Sequence, residues 1–202
     1  MIFLITTSLV TPSTETQRRP KVSAEDLRLE TLISSLVNQQ NKQEAMAELY
    51  ELIRVPVYSY ALSLVKSPQD AEDILHDTLI SVHNAAHSYR PDGKPMAWII
   101  TIARNHGYGR LRRQKYVADI PEEELDNYLS QNEQVSQDDR MVLEQCLRAL
   151  SDTERQIVVM HAVAGMKHRI IAQTLDLPLS TVLSKYNRAL KKLKKNLQFD
   201  LP

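Results

Sequence analysis

Apolar positions in the C-terminal third of the chain recur at steps of three and four residues. They are Ile157, Val158, Ala162, Ile170, Ile171, Leu175, Leu179, Val182, Tyr186, Ala189, Leu190 and Leu193. This spacing is typical of helices that bury one face. The segment 175–180 between the last two runs is too short for anything but a tight turn, so the pattern predicts a helix-turn-helix.

The last predicted helix is strongly basic. It carries Lys185, Arg188, Lys191, Lys192, Lys194 and Lys195, and no acidic residue follows before Asp200. A short turn leading into a cationic helix is the arrangement that places side chains in the major groove of DNA. Nucleic acid is therefore the leading candidate partner, with a solvated lysine face as the alternative for Lys194 and Lys195.

The same spacing predicts four helices in the N-terminal half. Ser23, with Asp26 three residues on, resembles a capping box, and Ser67-Pro68 pairs a capping serine with a proline at the first helical position. Pro56 is expected to bend the second helix, and Pro95 to open the fourth. Glycine is scarce, with four residues in 202, and alternating β-type runs are missing. The predicted fold class is all-α.

The third predicted helix presents three carboxylates on one face, because Asp70, Asp73 and Asp77 fall at i, i+3 and i+7. The simplest interpretation is a solvated surface, favoured by the helix dipole near the N-terminus. A docking face for a basic protein is the functional alternative. A metal site with the nearby histidines has the weakest support, because no tight ligand spacing is present.

The loop 87–94 contains Pro-Asp-Gly, a strong turn signal, and precedes a helix that becomes cationic. Tyr89 and Arg90 in this loop are candidates for stacking on an unpaired base. Trp98, at the apolar start of the helix, is expected in the core. Asn105 lies where the helix turns from apolar to basic and could reach base edges.

Charge is unevenly distributed although the net charge is zero, from 25 basic and 25 acidic residues. Residues 104–118 carry +5, residues 119–144 carry −8, and residues 145–202 carry +6. Two basic segments separated by an acidic one form surfaces of opposite charge. This distribution is more informative about binding partners than the net charge is. The acidic segment has little hydrophobic periodicity and is predicted to be a linker.

The remaining composition excludes several classes. Cys146 is the single cysteine, so no intramolecular disulfide framework forms. The apolar stretch 1–10 is too short to span a membrane, and residues 1–22 are expected to be a disordered leader or to follow a misplaced start. No phosphate-binding glycine loop, metal-ligand spacing or nucleophile elbow supports an enzyme.

Three motifs resemble those of the bacterial extracytoplasmic-function (ECF) sigma factors of the sigma-70 family. They are DAEDILHDTL at 70–79, WIITIARN at 98–105 followed by Arg112-Arg113, and LSDTER at 150–155 with STVLSKYNRAL at 180–190. The resemblance covers about residues 30–197 in the family's order. It implies a sigma region 2-like domain at 23–117, a linker at 118–138 and a region 4-like domain at 139–202.

The resemblance implies that the N-terminal domain docks on the clamp helices of RNA polymerase and opens the minus-ten promoter element. The residues implied in polymerase docking are Asp70, Glu72, Asp73 and Asp77. The residues implied at the minus-ten element are Tyr89, Arg90, Arg104, Asn105, Arg110, Arg112 and Arg113. A base flipped out of the duplex would be captured in loop 89–94.

The C-terminal domain is implied to contact the polymerase flap and the minus-thirty-five element. The implied contacts with DNA are Ser180, Thr181, Ser184, Lys185, Asn187 and Arg188. An anti-sigma factor is a further implied partner. The resemblance implies no enzyme activity, metal or cofactor, and a cytoplasmic protein associated with the nucleoid when it is bound to polymerase.

The chain departs from the family pattern at three positions. Leu183 stands where Lys or Arg is usual, Ile170 where an acid is usual, and Asp176 where glycine is common in the turn. Because Asp tolerates a left-handed backbone, the turn is expected to form. The competing hypothesis is a helix-turn-helix regulator that binds DNA without polymerase; it would need neither the acidic face nor the loop before Trp98.

Overall fold

A computed structural model describes residues 23–38, 41–117 and 149–199, and every regular element in these ranges is helical. The helices are α1 (Ala24–Val37), α2 (Lys42–Val65), α3 (Pro68–Ala85), α4 (Pro95–Val117), α5 (Asp152–Ala162), α6 (His168–Leu175) and α7 (Leu179–Phe199), with a 3₁₀ turn at Ala86–Ser88. The predicted all-α class is confirmed. The predicted leader at 1–22 and linker at 118–138 lie outside the described residues.

The helix starts follow from local hydrogen bonding. Ser23 and Asp26 form a capping box at α1, and Ser67 caps α3 with Pro68 in its first turn. Ser151 forms a second capping box with Glu154 at α5. These side chains satisfy backbone N–H groups that have no partner inside the helix. Pro56 lies inside α2, which continues on both sides of it.

The first four helices surround a core centred on α2. The Ile53 and Tyr60 side chains of α2 are fully buried, as are Ile74 of α3 and Ile99 of α4. Helix α2 packs against α1, α3 and α4. This packing fixes the relative positions of α3 and α4, which carry most of the predicted functional side chains of this half.

The last three helices form the predicted helix-turn-helix. Helices α6 and α7 are separated only by residues 176–178, and Val182 and Ala189 bury one face of α7. Asp176 ends α6 in the left-handed conformation, with φ 54° and ψ 48°. The expectation that Asp would sustain this turn in place of glycine is confirmed.

The helix-turn-helix packs against the N-terminal helices. Helix α5 contacts α2 and α6 contacts α4, so that buried residues of both halves form one hydrophobic cluster. An exposed ion pair between Lys66 Nζ and Asp152 Oδ1, 3.6 Å apart, lies at the edge of this contact. Exposed pairs of this kind contribute little to stability, so apolar burial dominates the contact.

Two glycines in α4 are expected to respond oppositely to substitution by alanine. A Cβ on Gly107 would overlap Leu64 Cδ2, whereas a Cβ on Gly109 meets nothing within 4 Å. Gly109→Ala should raise the free energy of unfolding by about 0.5–1 kcal/mol through helix propensity. Gly107→Ala should lower it, because overpacking costs about 1–3 kcal/mol. Urea unfolding of both variants checks this; equal shifts would contradict the close packing of α4 on α2.

Candidate nucleic-acid interface

The acidic face of α3 is partly neutralised by an arginine of α4. Arg110 Nε lies 2.5 Å from Asp70 Oδ1, and its Nη2 lies 2.6 Å from Asp73 Oδ2. The Asp70 side chain is 14% exposed and that of Asp73 is 48% exposed. Asp70 and Arg110 therefore join α3 to α4. The family resemblance implies polymerase as the partner of Asp70 and DNA as the partner of Arg110, and neither role requires this contact.

Asp77 is an exposed member of the acidic face. Among the described residues it makes no ion pair, so its charge faces solvent. Glu72 lies more than a quarter of a helical turn away from Asp73 and does not share the face of the other three.

Ile80 is 57% exposed beside this acidic face, and with Met46 of α2 it lines an apolar groove. Negative charge beside exposed apolar surface suits a protein partner.

The loop 89–94 is held from inside the molecule. The Tyr89 ring packs on Trp98 with centroids 4.9 Å apart, and its hydroxyl donates to Glu30 Oε1 at 3.0 Å. Burial, together with this hydrogen bond, raises the pKa of the Tyr89 phenol, so that the hydroxyl remains a donor. Tyr89 therefore shapes the loop from inside, whereas Arg90 is exposed.

The basic part of α4 offers both exposed and buried groups. Asn105, Arg112 and Arg113 are exposed. The Arg104 guanidinium carbon lies 5.1 Å from the Tyr108 ring centroid, and Arg104 Nε is buried with no hydrogen-bond partner among the described residues. Arg104 thus has a packing role on α4, while the other three present polar groups to solvent.

A cleft lies between the loop and the helix-turn-helix. Its lining on the N-terminal side includes Tyr89, Arg90 and Trp98, and its lining on the other side consists of Ile170, Gln173 and Thr174 of α6. Ile170, one of the departures from the family pattern, is half-buried here and packs against the core. One side of the candidate base-binding loop is therefore closed by α6.

The exposed face of α7 gathers most of the predicted minus-thirty-five residues. Ser180, Ser184, Asn187 and Arg188 are exposed and recur at steps of three and four, so they form one stripe. Thr181 and Lys185 are half-buried at its edge. Leu183, 41% exposed, adds an apolar group where a cation is usual in the family.

Lys192 of α7 has a structural role. Its Nζ lies 2.7 Å from Glu154 Oε2, and the Glu154 side chain is only 3% exposed. Burial by itself raises the pKa of Glu154, but hydrogen bonds from Lys192 and Ser151 outweigh it and lower the pKa overall. The pair ties α7 to the start of α5, so the Lys192 ammonium is engaged within the chain.

Two histidines and a tyrosine pack together inside the helix-turn-helix. The rings of His161 and His168 are 4.1 Å apart, and Tyr186 packs against both at centroid distances of 5.0 and 4.6 Å. His161 Nδ1 lies 2.9 Å from the Met166 carbonyl oxygen. Burial, and then the neighbouring His161, lower the pKa of His168. The cluster therefore favours neutral His168.

Acidification is expected to destabilise the helix-turn-helix. Because the pKa of His168 is lower in the folded chain than its usual 6.5, the unfolded chain takes up the proton first. The free energy of unfolding should be unaffected above pH 6.5 and should fall as pH drops from there toward the folded-state pKa. The slope for one proton is at most about 1.4 kcal/mol per pH unit. Urea titrations between pH 7.5 and 5 measure it.

His168→Leu is the control for this slope, because it removes the titrating group. If the variant and the natural chain lose stability equally over this range, His168 is not responsible. Glu154 contributes at lower pH: its lowered pKa gives stability that is present above pH 4.5 and is lost as pH falls through the folded-state pKa.

Two long-range contacts that shape these surfaces were not predicted from the sequence: those of Glu30, which was not a candidate residue, and that of Arg110, which was a candidate for DNA contact only. Glu30 bonds loop 89–94 from 59 positions away, and Arg110 reaches Asp70 across 40 positions. No local pattern in the sequence signals either contact. The buried pair of Glu154 and Lys192 spans 38 positions, although the capping serine before Glu154 gave a partial signal.

No group of three or more His, Cys, Asp or Glu side chains in residues 23–38, 41–117 and 149–199 is arranged to hold a metal ion. In the same ranges, none of the helices combines the length and the apolar character needed to cross a membrane.

Two family models match the chain. "Sigma-70 region 2" matches residues 49–116, and "Sigma-70, region 4" matches residues 140–193. Together these segments cover more than half of the 202 residues. The first contains α3 and most of α4, and the second contains all of α5 and α6 and most of α7.

Similar proteins and structures agree with these matches. The ECF RNA polymerase sigma factor SigK of Mycobacterium sp. (strain KMS) is 26% identical over 160 residues, covering 75% of this chain and 82% of the relative. SigK of Mycolicibacterium vanbaalenii is 24% identical over 188 residues, covering 89% and 93%.

Two solved structures share the fold. One is CnrH in complex with the cytosolic domain of CnrY, with a TM-score of 0.60, 21% identity and coverage of 86% of this chain and 99% of CnrH. The other is the sigma factor RpoE in complex with the anti-sigma factor NepR from Bartonella quintana, with a TM-score of 0.58, 23% identity and coverage of 75% and 96%. Both matched sigma regions, the helical fold and the SigK relatives lead to one conclusion: the chain belongs to the ECF group of the sigma-70 family and is an RNA polymerase sigma factor.

Proposed function

We propose that this sigma factor docks on core polymerase through α3, opens the minus-ten element with loop 89–94 and α4, and reads the minus-thirty-five element with α7. The observation that carries the proposal is that one chain presents an acidic face and two separate polar, cationic surfaces, within segments that match sigma regions 2 and 4. A regulator that binds DNA without polymerase needs only the cationic surface on α7.

Docking would use Asp77 and the exposed part of Asp73, with the apolar groove beside Ile80. Asp70 supports this face indirectly, because its pairing with Arg110 fixes α3 against α4. Glu72 would meet a different part of the polymerase, since it points to another side of α3. We expect this face to bind the clamp helices of RNA polymerase. We expect the C-terminal half of the chain to bind the polymerase flap.

At the minus-ten element, Arg90 would contact the flipped base, and Asn105, Arg112 and Arg113 would hold the strand. Flipping costs a few kcal/mol, which stacking and hydrogen bonding in the pocket offset. Thr101, exposed in the turn of α4 before Asn105, lines the same cleft and extends this surface.

Binding to both elements requires the two halves to separate. The minus-ten and minus-thirty-five elements lie about 25 base pairs apart. This is about 85 Å along the axis of the DNA duplex, at about 3.4 Å per base pair. In the structure, α6 instead lines the same cleft as Arg90 and Trp98. The packed arrangement would therefore represent the chain before promoter binding, and docking on polymerase would supply the free energy for separation.

The remaining assignments follow from the family. Sigma factors are non-enzymatic initiation factors, and we propose that this chain has no catalytic activity of its own. We further propose domains at 23–117 and 139–202 around a linker at 118–138, action in the cytoplasm on nucleoid DNA, and control by an anti-sigma factor. The structural neighbour RpoE, solved in complex with the anti-sigma factor NepR, supports the last proposal.

The test is promoter-dependent transcription with purified core polymerase. DNA fragments are first selected from the genome by the reconstituted holoenzyme, and are then used as templates. We expect discrete transcripts only when this chain is added to core. Sequence-specific DNA binding by the chain alone, without any stimulation of transcription by core, would favour the stand-alone regulator.

A further inference from the structure

Glu30 lies on α1, outside the segments matched by either family model, yet it contacts loop 89–94 twice. Its Oε1 accepts a hydrogen bond from the Tyr89 hydroxyl at 3.0 Å and another from the Gly93 N–H at 2.8 Å. These two donors stand at the two ends of the turn. A single carboxylate oxygen therefore joins both ends of the loop to α1.

We infer that Glu30 is the positioning residue that holds loop 89–94 in the shape needed to receive the flipped base of the minus-ten element. The inference rests on the proposed role of this loop and adds the residue that sets its shape. Glu30 would not touch DNA itself. It would act through the backbone of the loop and through the Tyr89 ring.

The local geometry shows why the loop needs such a support. Gly93 has φ +75°, a left-handed conformation that directs its N–H toward Glu30. The Lys94 N–H bonds to Asp92 Oδ1 at 3.1 Å, which closes the turn but does not attach it to the rest of the molecule. Hydrogen bonds to a carboxylate are stronger than those between neutral groups, so one acidic side chain can anchor the whole segment.

The contact of Tyr89 with Trp98 transmits this support to the base-binding cleft. The two rings are 4.9 Å apart and both line the cleft beside Arg90. If the hydroxyl of Tyr89 loses its hydrogen-bond acceptor on Glu30, the Tyr89 ring is no longer held against the Trp98 ring. Preorganised loops bind tightly because little conformational entropy is lost on binding.

The test compares Glu30→Ala with Glu30→Gln in reconstituted holoenzyme. The probe is a fork-junction DNA that carries the minus-ten sequence selected by the natural holoenzyme. Glu30→Ala should weaken binding of this probe about tenfold, while Glu30→Gln, which retains an acceptor oxygen at the same place but not its charge, should weaken it no more than about threefold. Glu25→Ala, which removes an exposed carboxylate from the same helix, should have no effect.

Trp98 provides a second readout that does not depend on polymerase, because it is the single tryptophan of the chain. In the isolated full chain, Glu30→Ala and Tyr89→Phe should both shift its fluorescence emission, and Glu30→Gln should not. Affinity for core polymerase should be equal in all variants. This last measurement separates loss of loop shape from a general loss of folding.

The outcomes are distinct. If the natural chain directs transcription and Glu30→Ala binds the fork-junction probe like the natural chain, the inference about Glu30 is wrong and the proposed function stands. Equal losses for Ala and Gln, with an unchanged Trp98 spectrum, would also overturn it. If the natural chain gives no promoter-dependent transcription, the proposed function itself fails.

Discussion

Reversal of a single charge on α3 is expected to weaken binding to core polymerase about 10- to 100-fold. Asp77→Lys replaces an exposed carboxylate, which has no ion-pair partner among the described residues, with a cation. A 10- to 100-fold loss corresponds to about 1.4–2.8 kcal/mol, which combines the lost attraction to a cation of the polymerase with the repulsion added by the new lysine. Fluorescence-detected titration of core polymerase measures the loss.

Asp77 is a sharper probe than Asp73 because of Arg110. A lysine at position 73 would repel Arg110 and disturb the contact between α3 and α4, so lost binding could reflect altered packing. Glu51→Lys on α2 is the matched control, since Glu51 is an exposed carboxylate paired only with the exposed Arg54 of its own helix. Equal affinities for Asp77→Lys and the natural chain would remove α3 from the docking surface.

Increasing salt should reduce the difference between the natural chain and Asp77→Lys. Exposed charges are screened over about 10 Å at 0.1 M salt. A loss of affinity that stays constant between 0.05 and about 0.5 M salt would therefore indicate a structural effect of the substitution. Thermal unfolding of the variant, expected to match that of the natural chain, gives the same distinction independently.

Features of the fold that depend on neighbours in sequence were predictable. Capping at Ser23 and Ser67, the proline at the start of α4 and the left-handed turn at Asp176 each arise within a few residues. Local hydrogen bonding and backbone preference determine them, so a sequence read in short windows contains the information.

Contacts between distant helices were not predictable in this way. The periodicity of α3 correctly placed Asp70 and Asp73 on one face, but it could not show that Arg110 of α4 lies against them. The cationic character of α7 did not distinguish Lys192, bonded to buried Glu154, from its exposed neighbours. Charge patterns locate a surface, and only the packing of the helices decides which charges of that surface remain available to a partner.

The same reasoning applies to the candidate base-binding loop. Its aromatic and basic residues made residues 89–94 a candidate for binding a base, yet Tyr89 is engaged with Trp98 and Glu30. A tyrosine in a loop has the same local signature whether its ring stacks on a base or on a tryptophan. The supporting residue is 59 positions away, at a half-buried site one position after the buried Leu29.

Removal of Arg188 is expected to weaken discrimination at the minus-thirty-five element. Arg188 is exposed in the stripe formed with Ser184 and Asn187 on α7, and arginine can bind guanine through two parallel hydrogen bonds. Arg188→Ala should reduce the preference for the selected sequence by about 1–3 kcal/mol, or roughly 5- to 150-fold. Binding competition between selected and scrambled upstream DNA, measured with holoenzyme, tests this.

Lys191→Ala separates base reading from phosphate contact, because Lys191 is exposed one helical turn further along the same face. It should weaken binding to all sequences alike and reduce the salt slope by about one. Arg188→Lys should behave like Arg188→Ala for sequence preference, since lysine keeps the charge but cannot form the paired hydrogen bonds. If Arg188→Ala and Lys191→Ala give the same uniform loss, Arg188 contacts phosphate. Specificity would then come from Ser184, Asn187 and the apolar Leu183, which can pack on a thymine methyl group where a cation could not.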